Sequence, residues 1–285
     1  MVIGIIAAIA VVLSVVLCLC TGGFGSLVWL WLLPLGWLGA FVGILLLLFL
    51  MVLVMCAFVD IEKEETEDNA LYRRVIYMIA DAAHTVLRVR VKSKGVEKIP
   101  NQGRVLLVCN HLNNADPVIL FHQVKKRQKL AFIAKREAGK MFVVGKFMHK
   151  MLCQRINREN DREALKTILK CIQLIKDDEA SIAVFPEGYI HQDKKLHPFR
   201  SGVFKIAQKT QVPIVVCTLK NTPQVFENLP KLKPTDVELH LLDVIQPEQY
   251  AGMTTVALGN WVYEMMAQDL GPELVAPLEE MQNDT

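Results

Sequence analysis

The sequence predicts an α/β domain with a mainly parallel central sheet flanked by helices, preceded by an N-terminal transmembrane helical hairpin. Two observations lead to this prediction. Beyond residue 59, short β-like runs alternate with helical patterns, an order typical of parallel sheets. Up to residue 59 there is no charged side chain, although the chain contains 29 acidic and 32 basic residues. We therefore divide the 285 residues into a membrane region, 1–59, and a domain, 60–285.

The uncharged segment is long enough for two membrane spans, since each needs about 20 apolar residues. The sequence "TGGFG" at residues 21–25 is a candidate turn between them. A secretory signal peptide is not indicated, because the start has neither a basic region nor a small-residue cleavage site. The second apolar run, Leu27 to Val59, exceeds one span and contains Pro34, so we expect its first part to be interfacial or kinked. One span or two fit the sequence, and we favour two.

The basic residues that follow the apolar segment predict which side of the membrane the domain occupies. Lys63, Arg73 and Arg74 come after the last span and no basic residue precedes it, which favours a cytoplasmic domain. The chain is thus expected to be a membrane protein, multi-pass or anchored by a hairpin. Its seven cysteines include no CxxC pair and are expected to be reduced.

Five β-like runs and one clear helix define the predicted domain. The runs are "RVLLVC" from Arg104, "KLAFIA" from Lys129, "SIAVF" from Ser181, "VPIVVCTL" from Val212 and "VELHLLDVI" from Val237. The helix begins at Asp161, and its predicted apolar face consists of Leu165, Ile168, Leu169, Ile172 and Ile175. No repeat or low-complexity tract interrupts this alternation.

The stretch "LLVCNHLNNADPVIL" places His111 just past the end of a predicted strand, at the edge where open α/β sheets bind ligands. We predict that the following helix has Asp116 at its N-cap and Pro117 at its first position. On one ideal helix the His111 and Asp116 side chains would point about 140° apart, so they meet only if "LNNA" is a turn. Asp116 could then accept from one imidazole nitrogen and leave the other as a base. The alternative is that Asp116 is only a helix cap.

A second polar group follows another predicted strand. In "SIAVFPEGYI", Glu187 and Gly188 come directly after a β-run, so we expect them at the same edge of the sheet as His111. The alternative is a simple turn through Pro186 and Gly188. Two polar groups that leave neighbouring strand ends favour one site.

Five sequence blocks between Gly95 and Asn221 resemble the membrane-bound glycerolipid acyltransferase family, typified by lysophosphatidic acid acyltransferases. In the family's order they are "NHLNNAD", "FIAKREAGK", "QRINR", "FPEG" and "FRSGVFKIAQKTQVPIV". Two features depart from the family pattern. Tyr189 and Ile190 stand where Thr or Ser and then Arg are usual, and "PIVVC" lacks the common second proline.

The resemblance implies transfer of a fatty acyl group from a thioester, acyl-coenzyme A or acyl carrier protein, to a hydroxyl of a lysophospholipid acceptor. The expected acceptor is 1-acylglycerol-3-phosphate and the expected product phosphatidic acid. His111 would be the general base, oriented by Asp116. We expect direct transfer without an acyl-enzyme, with no cofactor and no metal, since His111 and Asp116 lack a third ligand at a recognisable spacing.

An acceptor phosphate requires cations, and residues 117–158 contain eleven Lys or Arg against the single acid Glu137. By the resemblance Arg158 is the phosphate ligand, with Lys135 and Arg200 as further candidates. Glu187 and Gly188 complete the predicted substrate site. Many of the other cations are expected to lie against anionic membrane lipids.

Two alternatives stay open. Tyr189 and Ile190 keep a different acceptor in consideration, such as another lysophospholipid or an aminolipid. A catalytically inactive lipid-binding scaffold at the membrane surface would also use the basic segment. Nucleic acid is not expected as a partner, because aromatic residues do not alternate with these cations and apolar spans precede them. A P-loop NTPase is excluded because GxxxxGK[ST] is missing.

Overall fold

A computed structural model describes residues 2–157 and 160–277, and its contacts divide the chain into two units, residues 1–60 and 61–285. The first unit contains α1 (Val2–Cys20) and α2 (Trp29–Ala57), separated by a 3₁₀ turn at Gly23–Gly25. Both helices are long and apolar enough to cross a membrane by length and composition. The predicted helical hairpin is confirmed, and the turn lies within "TGGFG".

Small side chains let the two hairpin helices approach each other. Ala10, Ser14 and Cys18 are buried and recur every fourth residue along α1. A Cβ on Gly36 would lie 3.4 Å from the Ser14 Cβ, and the Trp37 indole donates to the Ala7 carbonyl at 3.1 Å. Helix α2 is continuous through Pro34 and has 29 residues. At about 1.5 Å per residue it exceeds the roughly 30 Å of a hydrocarbon layer.

The second unit is built on a seven-stranded sheet in the order β1-β7-β6-β2-β5-β3-β4. The strands are β1 (Val89–Lys94), β2 (Leu106–Cys109), β3 (Leu130–Lys135), β4 (Gln154–Ile156), β5 (Ser181–Val184), β6 (Ile214–Lys220) and β7 (Thr235–Ile245). All neighbouring pairs are parallel except β6 and β7, which are antiparallel. The predicted mainly parallel sheet is therefore confirmed.

Helices cover both faces of this sheet. They are α3 (Ala70–Val86), α4 (Asp116–Val124), α5 (Phe142–Lys150), α6 (Asp161–Lys176), α7 (Lys205–Thr210), α8 (Gln224–Asn228) and α9 (Thr255–Leu270). Along β2, Leu106 and Val108 join the core beneath α6, α7 and α9, whereas Leu107 and Cys109 join the core on the α3 and α4 side. This alternation explains why "LLVC" is apolar throughout.

The structure contains the five predicted strands and two that the sequence did not reveal. β1 reads "VRVKSK" and is largely exposed, so it lacks the apolar signal of a buried strand, and β4 has only three residues. Helix α6 begins at the predicted Asp161, but its predicted apolar face is partly wrong. Leu165 and Leu169 are 44% and 53% exposed, while Thr167, Cys171 and Leu174 are buried. The buried face is therefore rotated away from the one that the largest apolar residues indicate.

Arg73, which the orientation prediction used as a basic residue after the span, is buried inside the domain. It is only 4% exposed, and its guanidinium forms a 2.7 Å ion pair with Asp68 and donates to the Leu130 carbonyl at 3.0 Å. A buried arginine needs such partners. It therefore stabilises the junction of α3 with β3.

Candidate active site

His111 and Asp116 meet at the carboxyl end of β2. The His111 Nδ1 atom lies 2.9 Å from the Asp116 Oδ2 atom. The intervening residues form the turn that this contact requires: the Asp116 N–H donates to the Asn113 carbonyl at 3.1 Å, and the Ala115 N–H donates to the Asn113 side chain at 3.0 Å. The asparagine thus closes the turn with both its backbone and its amide oxygen.

Asp116 does not cap helix α4, so the predicted N-cap role is wrong. The helix has Ala115 at its N-cap position, without a side-chain cap. The carboxylate turns backward instead, and its Oδ2 atom also accepts from the backbone N–H groups of Leu112 at 2.6 Å and Asn113 at 2.7 Å. The side chain is completely buried. Its hydrogen bonds therefore fix the histidine loop and not the helix terminus.

The imidazole of His111 is held in one orientation. With a proton on Nδ1 donated to Asp116, Nε2 keeps a lone pair that can accept a proton. The ring stacks on Phe185, with the centroids 4.2 Å apart and the planes at 17°. Phe185 in turn stacks on Phe132 at 6.1 Å. Stacking and the carboxylate together restrict both the tilt and the rotation of the imidazole.

Glu187 connects two loops through the backbone. Its Oε1 atom accepts from the His111 N–H at 2.7 Å, and its Oε2 atom accepts from the His197 N–H at 3.0 Å. It is only 3% exposed. Burial raises the pKa of Glu187 from 4.5 to about 8, while the two N–H donors oppose this shift by stabilising the carboxylate. This geometry fits a residue that positions His111 better than one that contacts a substrate.

Gly188 closes the turn that presents Glu187. Its N–H donates to the Phe185 carbonyl at 3.1 Å, and its φ is +85°. A side chain at this φ would be strained, which explains the glycine. The sequence-based alternative of a simple turn describes the backbone correctly, but the turn also buries the Glu187 carboxylate against the histidine loop.

The other predicted site residues lie along the same edge of the sheet or outside the described residues. Lys135 is exposed at the carboxyl end of β3, which lies two strands from β2, or about 10 Å at the usual spacing. Arg158 is outside the described residues, although the strand before it, β4, ends at this edge. The structure thus brings His111, Asp116 and Glu187 together and places Lys135 further along.

Arg200 reaches the Glu187 turn from later in the chain. Its N–H donates to the Pro186 carbonyl at 2.8 Å. Its guanidinium carbon lies 5.3 Å from the centroid of the Tyr189 ring, a cation–π distance. Tyr189 is itself 45% exposed. The tyrosine that departs from the family pattern therefore contacts a predicted phosphate ligand.

Sequence reasoning did not identify two residues that shape the site. Asn110 is completely buried, and its amide both donates to the Leu219 carbonyl at 2.9 Å and accepts from the Leu219 N–H at 2.7 Å. It joins the end of β2 to β6 just before His111. Phe185 was also missed as a stacking partner. Asn110 begins the block "NHLNNAD" and Phe185 begins the block "FPEG". Their place in these blocks was the feature of the sequence that could have marked them as site residues.

A cavity of about 160 Å³ adjoins the histidine loop through Leu112 and is also lined by Asp193, Lys195 and Asn221. A larger one, about 350 Å³, lies away from His111 and is lined by Leu242, Met265, Gln268 and Asp269. We place the candidate site at His111 despite the larger volume elsewhere, because the His111 imidazole and the Asp116 carboxylate meet there. Among the described residues, no group of three His, Cys, Asp or Glu side chains is arranged to hold a metal ion.

The chain resembles known acyltransferases in sequence and in fold. The sequence model of the acyltransferase family matches residues 90–220. A probable 1-acyl-sn-glycerol-3-phosphate acyltransferase from Mycoplasma pneumoniae is 31% identical over 166 residues, which cover 57% of this chain and 61% of that protein. A 1-acyl-sn-glycerol-3-phosphate acyltransferase from Borreliella burgdorferi is 27% identical, over 57% of this chain and 65% of that protein. The matched region thus spans less than two thirds of these relatives.

A solved structure agrees with the architecture. The crystal structure of the 1-acyl-sn-glycerophosphate acyltransferase PlsC from Thermotoga maritima superposes with a TM-score of 0.58 at 22% identity, and covers 82% of this chain and 88% of that chain. At this identity the likeness concerns the fold. The region matched by the family model, residues 90–220, includes the His111 loop and the Glu187 turn, so the sequence similarity to acyltransferases covers the candidate site.

Proposed function

We propose that this protein transfers a fatty acyl group from an acyl thioester to the free hydroxyl of 1-acylglycerol-3-phosphate, giving phosphatidic acid. The observation that carries the proposal is the 2.9 Å contact between His111 Nδ1 and the buried Asp116 carboxylate at the carboxyl edge of the sheet. The printed names of the relatives support the acceptor. The acyl group is carried as a thioester of coenzyme A or of acyl carrier protein, and no other cofactor enters the proposed reaction.

In the proposed step, the acceptor oxygen attacks the thioester carbonyl carbon as His111 Nε2 takes the hydroxyl proton. The new C–O bond forms, the tetrahedral adduct collapses, and the C–S bond breaks. The thiolate leaves with the proton that the imidazolium returns. Asp116 stabilises the imidazolium and holds the tautomer, the part that the acid plays in a serine-hydrolase triad. The acceptor hydroxyl takes the place of the serine, so no acyl-enzyme forms.

Glu187 acts in this proposal as a positioning residue. By accepting the His111 N–H it holds the backbone from which the imidazole projects, and by accepting the His197 N–H it ties that backbone to the next loop. Phe185 covers one face of the ring. These contacts hold the base before substrate arrives, the kind of preorganisation that makes proton transfer effective.

The phosphomonoester of the acceptor must be met by cations, because a desolvated dianion is costly. We assign this role to Arg200, Lys135 and Arg158. Arg200 is supported by its hydrogen bond to Pro186, which places it on the Glu187 turn, and by the Tyr189 ring against its guanidinium. The chain would thus supply from a later loop the cation that its family usually carries after "FPEG".

We further propose that the N-terminal hairpin anchors the protein in a membrane and that the catalytic domain faces the cytoplasm. The apolar character of α1 and α2 supports the anchor. Lys63 and Arg74 support the orientation, since they follow the second apolar helix while no basic residue precedes it. Anionic lipids are the expected surface partner of the basic segment, and nucleic acid is not an expected partner.

A second acceptor class is supported by one observation, the Tyr189 and Ile190 pair in place of the usual Thr or Ser and Arg. The test uses membranes containing the protein, a labelled acyl donor and a panel of lysolipids with and without a terminal phosphate. We expect the phosphomonoester acceptor to be preferred, and the His111→Ala variant to lose most of the activity with every acceptor. Preference for an acceptor without a phosphomonoester would contradict the acceptor assignment and leave acyl transfer intact. Lack of transfer to every lysolipid would favour the inactive scaffold.

A further inference from the structure

Three apolar side chains at the start of α5 are exposed, and we call this short segment the ridge: Met141, Phe142 and Val144 are 57%, 56% and 43% exposed. They follow the strand that ends at Lys135, so the ridge belongs to the part of the domain next to the candidate active site. Single exposed apolar residues need no explanation, but three within four consecutive residues make this segment a candidate binding surface.

The ridge rests on tightly packed backbone. A Cβ on Gly145 would lie 2.1 Å from the Gly139 carbonyl oxygen, and one on Gly139 would lie 2.3 Å from the Arg155 Cδ atom. The Gly145 N–H also donates to the Met141 carbonyl at 2.7 Å. Close contact of these two glycines fixes the 3₁₀ turn of residues 136–140 against α5. The backbone that carries the exposed apolar side chains is therefore tightly packed.

Cations precede and follow the ridge along the chain. Lys135, Arg136 and Lys140 are exposed just before it, and Glu137 is the single acid from residue 117 to 158. The Lys146 ammonium lies 4.7 Å from the centroid of the Phe142 ring. We call Lys135, Arg136, Lys140 and Lys146 the basic rim. An apolar ridge with a basic rim matches the interface of a membrane, where apolar groups enter the boundary of the acyl chains and lysines contact phosphates.

We infer that the ridge inserts into the surface of the anionic membrane that holds the hairpin, as a second contact separate from α1 and α2. The inference rests on the proposed membrane anchor. The sheet edge that carries Lys135 would then lie beside the lipid head groups, and an acceptor could reach His111 from the membrane without entering water. A lipid surface is favoured over a protein partner because the exposed apolar residues are flanked by cations on a chain that also carries an apolar helical hairpin.

The test is depth-dependent quenching of a fluorophore attached at single cysteines in the full-length protein. Six native cysteines are buried and Cys20 is exposed, so the variants are made in a Cys20→Ser background. The reporters are Phe142→Cys and Val144→Cys on the ridge, the second of which retains Phe142. Leu47→Cys, 68% exposed on α2, reports the hairpin, and Val256→Cys, 56% exposed at the start of α9, is the matched control at the opposite edge of the sheet.

The protein is reconstituted into vesicles of equimolar phosphatidylcholine and phosphatidylglycerol that contain lipid brominated on its acyl chains. We expect loss of fluorescence at Leu47, Phe142 and Val144, and none at Val256. Quenching at Leu47 without quenching at either ridge position overturns the inference and leaves the anchor standing. No quenching at Leu47 overturns the anchor and the inference together. Protection of the ridge reporters only when acyl carrier protein is added would show a protein-docking surface and also overturn it.

The same reporters in vesicles of phosphatidylcholine alone test the basic rim. We expect weaker quenching at Phe142 and Val144 there, with Leu47 unchanged. Equal quenching in both lipids would show that the cations do not contribute to insertion. None of these readouts depends on catalysis, so failure of the proposed acyl transfer and failure of this inference are distinguishable.

Discussion

The histidine loop and the basic segment from Lys135 to Lys146 lie at the same edge of one sheet, but they are built in opposite ways. In the loop, Asp116 and Glu187 are buried, and each carboxylate accepts hydrogen bonds from backbone groups of neighbouring residues. In the basic segment, Lys135, Arg136 and Lys140 are exposed. Proton transfer needs fixed distances, whereas binding of lipid head groups tolerates mobile charges. The comparison therefore predicts large losses from changes in the loop and graded losses from changes in the basic residues.

The largest effect is expected from His111→Ala. Removing the proposed base should lower the turnover number by about 10²–10⁴, while expression and membrane insertion stay normal. Specific activity of purified protein with a labelled thioester is the measurement. Near-normal activity per folded molecule would rule out the mechanism.

Asp116→Asn should reduce turnover almost as strongly, on the order of 10²–10⁴, because the wrong tautomer of His111 is then favoured. It should also lower stability, since the new amide would face the N–H groups of Leu112 and Asn113. The free energy of unfolding and the activity are measured on the same preparation. A variant that is less stable yet fully active per folded molecule would reduce Asp116 to a structural residue of the turn.

Glu187→Gln tests a positioning role by its pH dependence. The folded-state pKa is about 8 against an ordinary 4.5, so the folded chain keeps this proton at pH values where the unfolded chain has lost it. The free energy of unfolding of the native protein should therefore fall as pH rises through this window, and the variant should lack that slope. We also expect turnover to fall while the acceptor KM changes little. A raised KM with unchanged turnover would instead indicate contact with the substrate.

A smaller effect is expected from Arg200→Ala. Loss of one charge-assisted hydrogen bond should lower kcat/KM for the phosphomonoester acceptor. The expected loss of transition-state stabilisation is about 1.5–3 kcal/mol, and the donor KM should change less. Arg90→Ala, an exposed arginine of the far edge strand β1, is the matched control. Equal losses for acceptors with and without the phosphate would show that Arg200 does not recognise it.

The sequence predicted the contact between His111 and Asp116 better than it predicted the residues that hold this pair in place. The meeting of His111 with Asp116 followed from the turn-forming residues between them, because this geometry is local. The predicted cap failed because the carboxylate found donors behind it, at Leu112 and Asn113, a choice that no spacing rule encodes. Stacking of Phe185 on His111 depends on the side-by-side arrangement of β2 and β5, so only tertiary structure reveals it.

The fold shows the same limit. Buried strands such as β2 and β6 carry continuous apolar runs and were found, whereas β1 and β4 gain their structure from pairing and not from composition. Leu165 and Leu169 misled the prediction of the α6 face, because the sheet selects smaller residues such as Thr167 and Cys171 for burial. Arg158 lies outside the described residues, so its role as phosphate ligand stays a prediction from the family resemblance.

The central claim is that His111 and Asp116 act as one catalytic unit. Turnover of the double variant His111→Ala with Asp116→Asn, compared with each single variant under saturating thioester and acceptor, tests it most directly. If the carboxylate acts only through the imidazole, the double variant should be no slower than His111→Ala, since effects of residues that act as a unit are not additive. A double variant slower by the product of the two single losses would contradict the account and give Asp116 a role independent of the base.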